Sequence, residues 1–386
     1  MNHLEFEPGT LYKAWQTAKG QTVSDGKARV STLTFASRWS GFLVPDDRTV
    51  EANNTFPYLL IEPENGAAIS YKDLIIVTHG LNEGSPAKLF PWAYNLTVQL
   101  QLPTLIFPMA FHVSRRSPEW GFSSQARLSN QRSAIPGNQK SSPFNALISS
   151  RLSQFPDRFL RGGLQSYYDV VDLVDLIRSG RHPGCREGTR VHFLGYSAGG
   201  YLALALLLAN PDGRFSESRG ALFATCAPID DLIPDSLFIM DTDASTSLHA
   251  HFGRRCVPLE SINPELAVLA EPPQRWLDHI FFSGPEMAEG VNLIKPRLMA
   301  ITCPQDRVIT AKGMATNLND VPLLSLDLGI HEFPFNLPDP LIDVYDRRKE
   351  PTRSLLTSIG NGYHIAHPYR NVFQTFINGV SAFLSP

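Results

Sequence analysis

Ser197 lies in the pentapeptide Gly195-Tyr196-Ser197-Ala198-Gly199, where an apolar, strand-like run gives way to an apolar helical pattern. A serine at such a strand-turn-helix junction can act as a nucleophile. The turn exposes its hydroxyl, the flanking glycines avoid clashes, and the helix N-terminus favours negative charge on an attacking oxygen or an oxyanion. Gly200 adds room for close packing. The chemistry is acyl transfer, and it also needs a base, an acid to orient the base, and donors for the oxyanion. In a non-catalytic protein the same residues make only a tight turn. Arg115 and Arg116 could hold a carboxylate or phosphate on a substrate, although a solvated loop pair is the plainer reading. Trp120, Phe122, Phe281 and Phe282 could line an acyl or ring pocket, or form small cores under long loops.

Positioning these residues requires a sheet. Residues 32–44 and 55–63 alternate in polarity and read as an antiparallel start. Residues 73–80, 104–110, 190–197, 221–228, 297–304 and 322–329 are nearly continuous apolar runs, as strands buried on both faces should be. The expectation is an α/β protein with a mostly parallel sheet of about eight strands and helices on both faces. Helical periodicity follows the first buried strand, and it both precedes and follows the Ser197 strand. A closing helix should place Val372, Phe373, Phe376, Ile377, Val380 and Phe383 on one face. Two stretches break the alternation: a long polar excursion at 114–163 and an insertion with short helical pieces at 230–293. Both leave the chain after a strand end, where such sheets build their ligand crevice.

The 386 residues suffice for one large domain with insertions or for two ordinary domains. A hydrophobic fraction of 43%, a charged fraction of 18% and a net charge of −3 describe an ordinary globular chain with no basic field for nucleic acid. Cys185, Cys226, Cys256 and Cys303 are widely spaced and read as reduced core residues, with no metal site. The N-terminus carries no signal-like apolar run, and residues 202–209 are too short to span a bilayer, so the expected location is cytoplasmic.

With the strands laid out, the chain resembles the α/β-hydrolase superfamily from about residue 55 to its end. Besides the Ser197 motif, the resemblance rests on "VTHGLNEG" (77–84), "LIKPRLMAITCPQDRVIT" (293–310) and "LLSLDLGIHEFPFN" (323–336). It implies a single α/β-hydrolase domain over residues 1–386 with a lid or cap insertion. In that superfamily the His-Gly turn lies beside the nucleophile, which makes Leu81, or alternatively Asn82, one backbone oxyanion donor and Ala198 the other. His79 would be structural. Asp306 would be the acid, with Asp230 and Asp231 as alternatives. The base follows in chain order: His331, with His364 and then His367 as alternatives. The implied function is a serine hydrolase acting on a small-molecule carboxylic ester, thioester or amide. It would work through an acyl-enzyme and need no cofactor. An acyltransferase using the same triad, and a non-catalytic binding protein on this scaffold, are the other readings. The sequence leaves the oligomeric state open.

Overall fold

Nine strands among the described residues share one sheet: β1 (Val23–Ser24), β2 (Ala28–Ala36), β3 (Thr55–Pro63), β4 (Tyr71–Thr78), β5 (Thr104–Ile106), β6 (Cys185–Tyr196), β7 (Gly220–Phe223), β8 (Leu298–Thr302) and β9 (Leu323–Ser325). This computed structural model describes residues 8–18, 20–64, 70–253, 264–327, 330–335 and 365–385. The spatial order is β1-β2-β3-β5-β4-β6-β7-β8-β9. Strands β1 to β3 pair antiparallel, β3 meets β5 antiparallel, and every pair from β5 to β9 is parallel. This is the α/β-hydrolase fold.

Along β4, Leu74 and Ile76 enter one apolar cluster while Ile75 and Val77 enter another. The two-residue period of a strand sends them to opposite faces, so the run is apolar throughout. The helices among the described residues are α1 (Gly9–Thr17), the single turns α2 (Pro45–Arg48) and α3 (Glu51–Asn54), α4 (Phe90–Leu100), α5 (Phe122–Ser133), α6 (Ala146–Gln154), α7 (Arg158–Arg178), α8 (Ala198–Ala209), α9 (Thr242–Phe252), α10 (Pro264–Phe282), α11 (Pro285–Ile294), α12 (Ala311–Leu318) and α13 (Arg370–Leu384). Helices α1, α4 and α13 cover one face through Leu11, Trp92 and Phe376. The other face takes α7, α8 and α10 to α12 through Leu164, Leu204, Leu277, Val291 and Met314. No helix among the described residues is long and apolar enough to cross a membrane.

Four details differ from the sequence expectation. The first strand ends at Ala36, because the chain turns at Ser40–Phe42 and Pro45 opens a helical turn. The two-residue edge strand β1 is too short to carry a pattern. On α13, Leu384 is buried, whereas Val372 and Phe383 are half-buried at the margin. The polar excursion also contains regular structure, since α5 and α6 lie within it.

Candidate active site

The parallel register of β4 and β6 pairs Thr78 with Gly195. The two chains therefore leave the sheet side by side, and the His79-Gly80 turn lies against the Tyr196-Ser197 turn. The chain crosses from β5 back to β6 here, and the carboxyl ends of strands at such a switch point form a crevice. Ser197 sits between β6 and α8 at φ 53° and ψ −122°, a region that a residue with a side chain seldom adopts. Hydrogen bonds hold it there. Its N–H donates to the Phe223 carbonyl at 3.0 Å, and its carbonyl accepts from Thr225 Oγ1 at 2.6 Å. Both flanking glycines are required by close approach: a Cβ at Gly195 would lie 2.7 Å from Gly200 Cα, and one at Gly199 would lie 2.6 Å from the Thr78 carbonyl carbon.

The Ser197 Oγ lies 2.8 Å from His331 Nε2, and His331 Nδ1 lies 2.7 Å from Asp306 Oδ2. All three residues are buried. The acceptor carboxylate fixes the tautomer: Nδ1–H donates to Asp306, which leaves Nε2 to accept from the serine hydroxyl. Asp306 is itself held, its Oδ1 accepting the N–H groups of Val308 (2.8 Å) and Ile309 (2.9 Å) just beyond β8. Burial disfavours the His331 imidazolium, but the charge and hydrogen bond of Asp306, helped by nearby Glu332 and opposed by Lys88, leave its pKa above the usual histidine value.

The other described candidates lie elsewhere. Asp230 is exposed, and Asp231 accepts from Thr316 Oγ1 at 3.3 Å. His367 is exposed in a short turn before α13, and His364 and Cys256 lie outside the described residues. His79 is buried with both ring nitrogens committed to backbone. Its Nδ1–H donates to the Gly80 carbonyl at 2.8 Å, and its Nε2 accepts the Met109 N–H at 2.9 Å. Burial, against the Gly80 bond, pushes its pKa down to about 4, so it is neutral.

Among the described residues, the N–H groups of Leu81 and Ala198 have no protein acceptor. Asn82, at φ 66°, directs its Nδ2 to the carbonyls of Phe144 (2.8 Å) and Phe238 (2.7 Å), tying this turn to both excursions. Sequence reasoning missed two residues. Tyr196 donates its hydroxyl to the His331 carbonyl and stacks on the imidazole with centroids 5.5 Å apart. Lys88 is ion-paired with Glu83 and lies 5.3 Å from the Tyr196 ring centroid. The one available signal was a bulky aromatic between Gly195 and Ser197.

A cleft of about 350 Å³ opens over Ser197 and His331, walled by Leu81, Lys88, Arg116, Phe144 and Phe238. An apolar cavity of about 110 Å³ shares Leu81, Asn82, Glu83 and Arg116 with the cleft and is also lined by Ala198, Trp120, Tyr201, Leu202 and Phe281. Phe122 borders the cleft, while Phe282 packs against the core. Arg115 is not a solvated loop residue: it is fully buried and ion-paired with Asp169 at 2.8 Å.

The model of a family described as "Family of unknown function (DUF6051)" matches residues 40–341. No curated protein matches the sequence. Among solved structures, brefeldin A esterase, described as a bacterial homologue of human hormone sensitive lipase, is 14% identical with a TM-score of 0.45, over 98% of this chain and 83% of its own. A hyperthermophilic esterase from the archaeon Pyrobaculum calidifontis is 11% identical with a TM-score of 0.42, over 98% and 91%. Carboxyl esterase 2 from the mycorrhizal fungus Tuber melanosporum is 12% identical with a TM-score of 0.41, over 81% and 79%.

Proposed function

The chain belongs to DUF6051, a family of unknown function, and we propose that it is a serine hydrolase that cleaves a carboxylic ester through Ser197, His331 and Asp306. The observation that carries this reading is the continuous relay from Ser197 Oγ through the imidazole to Asp306, with contacts of 2.8 and 2.7 Å. His331 Nε2 takes the hydroxyl proton as Ser197 Oγ bonds to the ester carbonyl carbon. Asp306 stabilises the resulting imidazolium. The tetrahedral oxyanion is held by the N–H groups of Leu81 and Ala198, which are free to point at it. Each such donor contributes about 100- to 1000-fold in rate. The imidazolium then protonates the departing alkoxide, leaving an acyl-Ser197 ester. Water, deprotonated by the same nitrogen, releases the acid. The bonds from Val308 and Ile309 keep the Asp306 carboxylate aimed at Nδ1 throughout.

Ser197→Ala is expected to abolish hydrolysis of short 4-nitrophenyl esters and labelling by a fluorophosphonate probe, with an unchanged thermal midpoint. His331→Ala should do the same, whereas His364→Ala should retain activity. Full labelling of the Ser197→Ala protein would overturn the assignment.

A further inference from the structure

Arg115 and Arg116 are neighbours in sequence with opposite surroundings. The Arg115 guanidinium is fully engaged by Asp169, by the side chain and carbonyl of Asn53 and by the Pro108 carbonyl. Arg116 is half-buried, and its Nη2 is buried with no hydrogen-bond partner among the described residues. Its side chain enters no ion pair there either, and burial lowers its pKa with no neighbouring charge to oppose it. The guanidinium lies across Gly84, where a Cβ would come within 2.9 Å of Nη1. It is part of the wall of both the Ser197 cleft and the apolar cavity, at the partition between them.

A guanidinium partly drawn out of water without a counter-ion is costly, and a ligand anion beside it recovers that cost as binding energy. The other lysine and arginines of the two cavities already face carboxylates: Lys88 faces Glu83, and Arg151 and Arg158 share Asp47. Glu83, which lines both cavities together with Arg116, is paired with its lysine, and Glu332 in the cleft wall accepts the Ser236 hydroxyl. One unpaired planar fork matches one negative charge, which fits a carboxylate better than a phosphate dianion. Beside it, His112 Nδ1–H donates to the Ala110 carbonyl at 2.7 Å, and its Nε2 is buried without a partner among the described residues. That nitrogen can accept from a hydroxyl or a water accompanying the anion.

We propose that Arg116 recognises a free carboxylate on the substrate, so that the bond cleaved at Ser197 belongs to an anionic ester, such as the monoester of a dicarboxylic acid. The scissile bond rests on the hydrolase reading above; the charge rests on the surroundings of Arg116 alone.

Two measurements separate these parts. In the Ser197→Ala protein, calorimetry is expected to show monomethyl glutarate binding about 10- to 100-fold more tightly than neutral dimethyl glutarate. Arg116→Gln should remove that preference and Arg116→Lys should keep part of it. Because Arg116 has no partner to lose among the described residues, the Gln variant should unfold at the same or a higher temperature. Equal binding of the two probes, or a preference that survives Arg116→Gln, overturns the proposal. In the active protein, Arg116→Gln should lower the ratio of kcat/KM for mono(4-nitrophenyl) glutarate over 4-nitrophenyl valerate by about 10- to 100-fold. Arg116-dependent binding with no ester cleavage would count against the hydrolase reading and for Arg116. Cleavage of both esters without an Arg116-dependent preference would do the reverse.

Discussion

At His331 the imidazolium is disfavoured by burial and favoured by Asp306, and the balance lies on the charged side of an ordinary histidine. In the proposed reaction His331 is the general base and must be neutral, so kcat/KM is expected to rise with pH through an inflection above the usual value of about 6.5. Asp306→Asn removes the carboxylate that raises it. The inflection should then move down, and kcat should fall by about 10⁴-fold because the tautomer is no longer fixed. A wild-type inflection at or below 6.5 would contradict the balance described. That Ser197, Asp306 and His331 meet was legible in the chain because each follows a strand within a short motif, in an order the resemblance supplies. The contact of Tyr196 was not, since its partner is a carbonyl 135 positions away. The contrast between Arg115 and Arg116 was equally hidden. It depends on Asp169, which a different element, α7, brings under the first arginine and not the second.

The strands were legible because burial on two faces writes itself as an unbroken apolar run, and β3 occupies the residues its alternation marks. Helix α5 was not, because its buried residues are Ser129 and Arg132, so no apolar stripe betrays it. What orders α5 is charge. Arg132 binds the buried Asp241 through Nε at 2.5 Å and Nη2 at 2.8 Å, and also binds Asp243 at 3.0 Å. Asp241 caps α9 in the second excursion, accepting the Ala244 N–H at 3.1 Å, so one arginine fastens the two insertions together. Arg132→Met leaves a buried carboxylate without its partner, a loss of about 3–5 kcal/mol for a pair of this kind. Limited proteolysis should then cut within residues 114–163 at least tenfold faster. Adding Asp241→Asn to that variant should recover part of the protection. Equal cleavage of wild type and Arg132→Met would show that the insertions are joined by other contacts.

Across the whole molecule, several histidines are buried in their neutral form. Burial holds His79 down to about 4 and His112 well below its usual value, and it also lowers His182 and His192. The unfolded chain binds protons at these positions near pH 6.5 and the folded one does not, so stability is present above that value and is lost as the pH falls. His79 alone accounts for about 2 kcal/mol between pH 7.5 and 5. His331 has the opposite sign, contributing below pH 6.5 and losing its contribution as the pH rises through its raised value. The thermal midpoint should therefore decline steadily from pH 7.5 to 5, before most carboxylates titrate. A flat midpoint over that range would contradict the neutral burial. The sheet sets these surroundings, and the excursions finish them through Asn82, whose one amide group holds both Phe144 and Phe238. That amide grips the cleft walls, and its own backbone continues into the Leu81 turn. In the proposed hydrolysis, a change in either wall is thus transmitted to the group assigned to the developing oxyanion. Selection of a substrate and the speed of its conversion then become one mechanical variable, which a ligand tunes by how well it seats.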